Sequence, residues 1–428
     1  MTPSPLTDAE FAAALDPLLD APGPLAVAVS GGRDSLALMH LAARYCAERG
    51  RTLFVLTVDH GLRAESAREA VWVGDAAAAL GLNFRILTWR DPPRGNLEAA
   101  AREARYRLMA EACTEAGFET LLLGHTEDDQ AETVLLRLAR GSGVDGLSAM
   151  APRSRRLGLT LLRPLLDIPR ARLEARLKAE GIAWLDDPMN EDSRFSRVQI
   201  RRAQGLLAKV GLTPARLAQT ARHMARVRRA LEAAVDTLGA EAAPLAPEGY
   251  ARLDPARLLA APDEIGHRLF ARLLMRIGGR GLPPRFDSLQ RLYGLVRTGG
   301  LVRGKTLGGC RILPRSDGAL LILREASPAP LILVPGRTLL WDGRFRVQLP
   351  ANAFLDAPPL LRALGADGIH ALRKASPGTR LNDLPGPVRA SLPSLWIHQE
   401  PAAIPHLNYV AAGAPPPIHG FTARFDGF

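Results

Sequence analysis

Along the first third of the chain, apolar residues fall either into short unbroken runs or into stretches where they recur every three or four positions. Runs near 25–29, 53–58, 84–89 and 120–124 predict strands, and the periodic segments near 35–49, 65–80, 96–116 and 127–139 predict helices. Runs this apolar suit strands covered on both faces. The alternation from Leu25 to about Leu162 therefore predicts an α/β fold with a doubly wound parallel sheet. A helix near 169–181 follows, and from Pro214 helical spacing dominates, with segments at 255–277 and 284–297. Strand-like runs return at Ala319–Leu323, Leu331–Val334 and Phe345–Val347, and the proline-rich residues 370–428 carry no chemistry of their own. The expected organisation is an α/β domain over 1–213, an arginine-rich, mainly helical domain over 214–325 and a small α+β module over 326–428.

A chain of 428 residues can bury two or three cores. No window of 18 uncharged apolar residues occurs, and Asp8, Glu10 and Asp16 stand where a secretory leader would be basic. The three cysteines, Cys46, Cys113 and Cys310, are far apart and form no CxxC pair. A cytoplasmic protein with no membrane partner is expected. The net charge is +11, and it is carried by arginine, since lysine occurs only at Lys178, Lys209, Lys305 and Lys374. Such a balance reflects either an Ala/Arg-rich coding bias or a polyanionic partner. Clustering favours the partner: Arg194, Arg197, Arg201 and Arg202, then Arg216, Arg222, Arg226, Arg228 and Arg229, form the densest basic run.

Ligands of open parallel sheets sit at the carboxyl ends of the strands. After the first strand stands Ser30-Gly31-Gly32-Arg33-Asp34-Ser35, where two glycines permit close backbone approach and the following helix start attracts an anion. After the second come Asp59-His60-Gly61, which are also ordinary turn residues. The third helix, capped by Asn96, brings Arg102, Arg105 and Tyr106 to one face, as a solvated surface also would. The fourth strand leads into His125-Thr126-Glu127-Asp128-Asp129-Gln130-Ala131-Glu132-Thr133. On a helical wheel Ala131, Val134, Leu135 and Leu138 pack, while Asp129, Glu132 and Thr133 share the opposite face. Acidic residues suit a helix start in any protein, but this density also fits Mg²⁺ or a substrate ammonium group. Two nucleotide motifs are decoys. Gly141–Gly146 follows a helix, and Gly299–Thr306 lies between a helical pattern and two glycines, without the strand–loop–helix order that phosphate binding requires.

The string Ser-Gly-Gly-x-Asp-Ser resembles the pyrophosphate (PP) loop of the N-type ATP pyrophosphatases. With Asp59-His60-Gly61-Leu62-Arg63, Asn96-Leu97-Glu98, Ala101-Arg102-x-x-Arg105-Tyr106, Gly124-His125-x-x-Asp128-Asp129-Gln130-Ala131-Glu132-Thr133, Arg140-Gly141-Ser142-Gly143 and Asp186-Asp187-Pro188-x-Asn190, the chain is similar to the bacterial tRNA(Ile)-lysidine synthetases. The resemblance covers about the first 200 residues and departs at Val198-Gln199, where the family often has Asn-Arg. It implies ATP-dependent adenylation of the wobble cytidine in a CAU anticodon and displacement of AMP by the amine of L-lysine. It also implies ATP contacts from Ser30, Gly31, Gly32, Arg33, Asp34, Ser35, Asp59 and His60, with Asp34 and Asp128 near Mg²⁺. Arg105 and His125 would stabilise negative charge, and Asp129 and Glu132 would bind lysine. Arg194, Arg197, Arg201, Arg222, Arg226 and Arg229 would contact tRNA, and a homodimer is among the assemblies allowed. Two other classes stay open: an adenylating enzyme with a small-molecule acceptor, and a noncatalytic tRNA-binding protein.

Overall fold

The computed structural model describes residues 3–61, 65–90, 97–185, 196–325, 328–353, 357–376 and 378–426. Leu62, Arg63, Asn96, Asp186, Asp187, Pro188, Asn190 and Arg194, all named above, lie outside them. The chain forms two compact units, Met1–Arg229 and Ala230–Phe428.

The first unit runs α1 (Asp8–Leu15), β1 (Leu25–Ala28), α2 (Arg33–Glu48), β2 (Leu53–Asp59), α3 (Ser66–Ala79), β3 (Asn83–Thr88), α4 (Leu97–Ala116), β4 (Thr120–Leu122) and α5 (Glu127–Leu138). It continues with α6 (Val144–Leu147), β5 (Arg153–Arg156), β6 (Leu159–Leu162), α7 (Arg170–Ala179), α8 (Ser196–Lys209) and the start of α9 (Pro214–Ala242). The sheet order is β3-β2-β1-β4-β6-β5, parallel except for the β5–β6 pair. Alternate strand residues serve opposite layers, as the period of two requires. Val27, Val55, Leu122 and Leu162 pack with Leu36 and Met39 of α2 and Leu173 and Leu177 of α7. Ala26, Leu56, Leu121 and Leu161 pack with Tyr106, Met109 and Cys113 of α4. Each leucine buried this way contributes roughly 1.5–3 kcal/mol. The pattern does not announce β5, because three of its four residues are arginine; those charges suit an edge strand, where they discourage pairing with another sheet.

The chain goes from β1 outward to β2 and β3, then returns to add β4 on the other side of β1. The crevice between the carboxyl ends of β1 and β4 is thus the switch point at which such sheets bind ligands.

In the second unit, β7 (Leu245–Ala246), β8 (Tyr250–Leu253), α10 (Pro255–Ala260), α11 (Asp263–Gly278), α12 (Phe286–Arg297), β9 (Lys305–Leu307), β10 (Cys310–Pro314) and β11 (Leu320–Arg324) follow α9. The segment expected to be mainly helical therefore also holds an antiparallel sheet, β7-β8-β11-β10-β9, against which α11 packs. Its strands of two to five residues are too short to show alternation. Residues 299–304 connect α12 to β9, the reverse of a phosphate-loop order, and Gly141 is a positive-φ turn after α5. Beyond β11 come β12 (Leu331–Ile332), β13 (Thr338–Trp341), β14 (Phe345–Gln348), β15 (Leu360–Ala363), α13 (Gly365–Ala375), α14 (Gly386–Arg389), β16 (Pro393–Ile397), β17 (Glu400–Ile404), β18 (Tyr409–Val410) and β19 (Thr422–Phe425), which build two small sheets. Buried Asp342 ties this module to the preceding sheet: it accepts from Arg344 Nε at 2.8 Å and from Arg324 Nη2 at 2.7 Å, while Arg324 Nη1 donates to Gly278 O at 2.7 Å. Among the described residues no helix is long and apolar enough to cross a membrane.

Candidate active site

Four residues, Val29 to Gly32, turn the chain from β1 into α2. Gly31 has φ +86°, and a Cβ there would lie 2.7 Å from Leu185 Cδ1. Both conformation and space require glycine. Gly32 opens α2 without a side-chain cap, so the first-turn amides have no carbonyl partner inside the helix and face the switch point. Ser35 Oγ donates to Gly32 O at 2.9 Å, accepts the Ser30 N–H at 3.1 Å and lies 3.2 Å from Ser30 Oγ. The two hydroxyls staple the turn in shape.

Gly124, just after β4, has the matching constraint: a Cβ would lie 3.1 Å from Asp34 O and from Ser35 Cα. This close approach brings α5 up to the loop. Thr126 and Asp129 form a capping box, with Asp129 Oδ2 accepting the Thr126 N–H at 2.9 Å and the Thr126 hydroxyl at 3.0 Å. Ala131 and Val134 pack against Leu217 and Ala221 of α9, whereas Leu138, expected in that packed stripe, is exposed. The wheel left Asp129 and Glu132 on the face away from this core, yet that face is also covered: Asp129 is 7% exposed and Glu132 0%.

Arginines neutralise them. Arg170, the first residue of α7, donates from Nε to Asp34 Oδ2 at 2.8 Å and from Nη2 to Asp129 Oδ1 at 3.2 Å, and its backbone N–H donates to Asp128 Oδ2 at 2.8 Å. Arg201 of α8 donates from Nε to Glu132 Oε1 at 2.6 Å, and Arg170 Nη1 lies 3.9 Å from the same oxygen. Arg170 is the residue that the sequence reading missed. An arginine at a helix start opposes the helix dipole unless acids surround it, and that anomaly was the available signal. Burial works against ionisation of Asp129, but Arg170 and the Thr126 hydrogen bonds outweigh it and hold the carboxyl below its ordinary range. Asp34 differs: burial, with Asp129 adding to it, outweighs Arg170 and raises its carboxyl above the ordinary value.

Asp34 Oδ1 is buried and has no hydrogen-bond partner. An orphaned carboxylate oxygen beside a phosphate-binding turn fits a hard divalent cation. Among the described residues no three His, Cys, Asp or Glu side chains gather as a metal cage, so the fit is to a cation held mainly by phosphate oxygens.

Other expected residues divide by place. Asp59 Oδ1 accepts from Gly61 N at 2.9 Å and from Ser66 Oγ at 2.5 Å, shaping the turn after β2, and the His60 ring meets Trp89 edge-on. Arg33 pairs with Glu174 at 2.9 Å. Arg105 is half-buried beside Tyr106, and desolvation, with Arg102 and Arg197 nearby, lowers its guanidinium below the ordinary value. Of the basic run, Arg201 is engaged by Glu132 and Arg222 by Asp167 at 2.6 Å, while Arg226 and Arg229 are exposed on the same stripe of α9 as Arg222.

His125 sits after β4 with Nδ1 buried and unpartnered. Burial, aided by Arg163, Arg105 and Arg102 and opposed by Asp129, pushes its pKa down to about 3. The ring is neutral near neutral pH. Because the unfolded chain binds this proton at about 6.5 and the folded one only near 3, the unfolded state holds more protons between those values. Stability should therefore be unpenalised above about pH 6.5 and fall as pH drops toward 3. His125→Gln is expected to flatten that slope in urea titrations from pH 4 to 7; an unchanged slope would show that other groups carry it.

These features, a parallel sheet with a glycine turn at its switch point facing an acidic helix, define a PP-loop domain, and a family model of that description matches residues 7–205. The chain is 42% identical to a tRNA(Ile)-lysidine synthase from Ruegeria pomeroyi, over 90% of this chain and 88% of that one. It is 43% identical to a tRNA(Ile)-lysidine synthase from Bradyrhizobium sp., over 76% and 95%. A solved U34-tRNA thiolase from Methanococcus maripaludis aligns with 51% of this chain and 76% of that one, at 18% identity and a TM-score of 0.45. The chain belongs to the tRNA(Ile)-lysidine synthase family.

Proposed function

We propose that this enzyme adenylates the C2 oxygen of the wobble cytidine in the CAU anticodon of tRNA(Ile), releasing pyrophosphate, and then joins L-lysine through its side-chain amine, releasing AMP. The observation that carries this reading is the juxtaposition of the Ser30–Ser35 turn with Asp34, His125, Asp129 and Glu132 across one switch point. The turn's amides bind the phosphates of ATP. Asp34 Oδ1 would hold Mg²⁺, whose charge offsets that of the departing pyrophosphate. Neutral His125 acts as a hydrogen-bond donor and Arg105 as a fixed cation where negative charge grows.

Asp129 and Glu132 receive the lysine ammonium group in competition with Arg170 and Arg201, which now occupy them. Asp129, held ionised, orients the amine and is a poor proton acceptor. A nitrogen nucleophile fits better than a sulfur carrier. Cys46, Cys113 and Cys310 are buried in separate cores, and burial pushes their thiols up to about 11, 11 and 12. The exposed Arg222–Arg226–Arg229 stripe contacts the tRNA backbone, as does Arg197. Labelled lysine incubated with bulk tRNA, ATP and Mg²⁺ should give ATP-dependent label that survives mild alkali, which cleaves aminoacyl esters. Pyrophosphate release without such label would keep the adenylation and reject lysine as the nucleophile.

A further inference from the structure

One face of α3 buries Ala70, Val73, Gly74 and Ala77 against the sheet. The opposite face bears Ala67, Arg68, Val71, Asp75, Ala78 and Ala79, all exposed, with Trp72 half-buried beside them. The outward face of a solvated helix is normally polar, yet Arg68 and Asp75 are the only charged residues among these seven. Val71 is 52% exposed. Phe84 of the edge strand β3, 40% exposed, lies across Gly74, where a Cβ would come within 2.6 Å of its Cε2. Val71 and Ala78 stand three and four positions from Gly74 on the helix surface, so the ring widens the apolar strip. Ala67, Arg68, Val71, Trp72 and Asp75 also line a shallow hollow.

The order of residues along this strip is self-complementary. Arg68 and Asp75 are two helical turns apart, about 10 Å along the axis, and among the described residues neither has an ion-pair partner. A two-fold axis crossing the helix between Val71 and Trp72 lays a second α3 antiparallel on the first. It sets Arg68 against the partner's Asp75 and Asp75 against the partner's Arg68, with Val71 and Trp72 meeting at the centre. Alanines toward both ends let the two backbones approach closely. Such an exchange is what an isologous interface requires, and a second copy supplies it by symmetry.

We propose that the outward face of α3, together with Phe84, is the surface through which two copies of this chain pair about that axis. Solvated ion pairs contribute little affinity, so the apolar strip holds the copies together and the two charge pairs fix their direction. β3 and β4 lie on opposite sides of β1, and the arginine stripe of α9 packs with α5, which follows β4. Pairing through α3 therefore leaves that stripe uncovered.

Sedimentation velocity of the full chain from about 1 to 100 µM, a range suited to a small interface, should show a monomer–dimer equilibrium. Arg68→Asp sets carboxylates against each other at both ends of the strip, and Asp75→Arg sets guanidiniums against each other. Either change alone should raise the dimer dissociation constant by more than about tenfold, and combining the two should bring it back to within about threefold of wild type. Val71→Asp, which alters neither pair, should leave the chain monomeric. Because all three positions are exposed, melting temperature and tRNA retention should stay at wild-type values in every variant. A wild-type chain that stays monomeric throughout overturns the proposal. So do single charge variants that dimerise as wild type does, a double variant no tighter than the singles, or assembly that grows beyond two copies.

Discussion

Replacing Asp34 with asparagine is expected to slow tRNA-dependent pyrophosphate release by roughly 10²–10³-fold while leaving tRNA retention largely intact. The substitution preserves shape and keeps an oxygen for Arg170 Nε, so the contact at 2.8 Å survives as a neutral hydrogen bond. What disappears is the negative charge at Oδ1, the buried oxygen that has no protein donor. If that oxygen only supported the loop, the variant would melt early and lose tRNA binding along with turnover. Quench-flow measurement of pyrophosphate, beside filter retention of tRNA, separates the two cases.

Arg170→Ala should have the largest effect on stability, because it strands Asp34 and Asp129 together in a covered site. Breaking a buried ion pair by removing one partner costs about 3 kcal/mol or more. The charge of Arg170 is itself opposed by burial, but Asp34 and Asp129 outweigh this and raise its pKa above the ordinary value. Without it, both carboxyls would bind protons more readily in the folded state than in the unfolded one. Stability of the variant would then fall as pH rises through the carboxylate range. Urea unfolding should show the full deficit at pH 7 and a smaller one at pH 4.5, and Asp34→Asn in the Arg170→Ala background should recover part of it. An equal deficit at both pH values would mean that Arg170 contributes packing and not charge.

Residues that act through local backbone geometry were legible in the sequence, and those that act through tertiary pairing were not. Gly31 and Gly32 announce the turn because no other residue fits, and the apolar runs announce β1 to β4 because strands buried on both faces have no polar positions. Asp129 and Glu132 were legible as a shared helical face. Their burial was not, since it depends on Arg170 and Arg201, which lie 41 and 69 positions away in the chain. For the same reason Arg201 reads as a nucleic-acid contact although its guanidinium closes on Glu132. The second unit announced only β11, as the apolar run Ala319–Leu323; the other strands of that sheet, two to five residues long, carry no readable periodicity, and the pairing of Ile312 with Ile322 and of Leu320 with Leu253 makes them visible.

The three cysteines give the native protein a chemical silence that has a practical use. None is bonded, none is exposed, and each thiol stays protonated near neutral pH, so a maleimide can react only after the surrounding core has opened. Cys46 and Cys113 lie on opposite faces of the parallel sheet and Cys310 lies in the second unit. Labelling rates at the three positions therefore act as separate clocks for breathing of the two sheet layers and of the second unit, with no engineered probe.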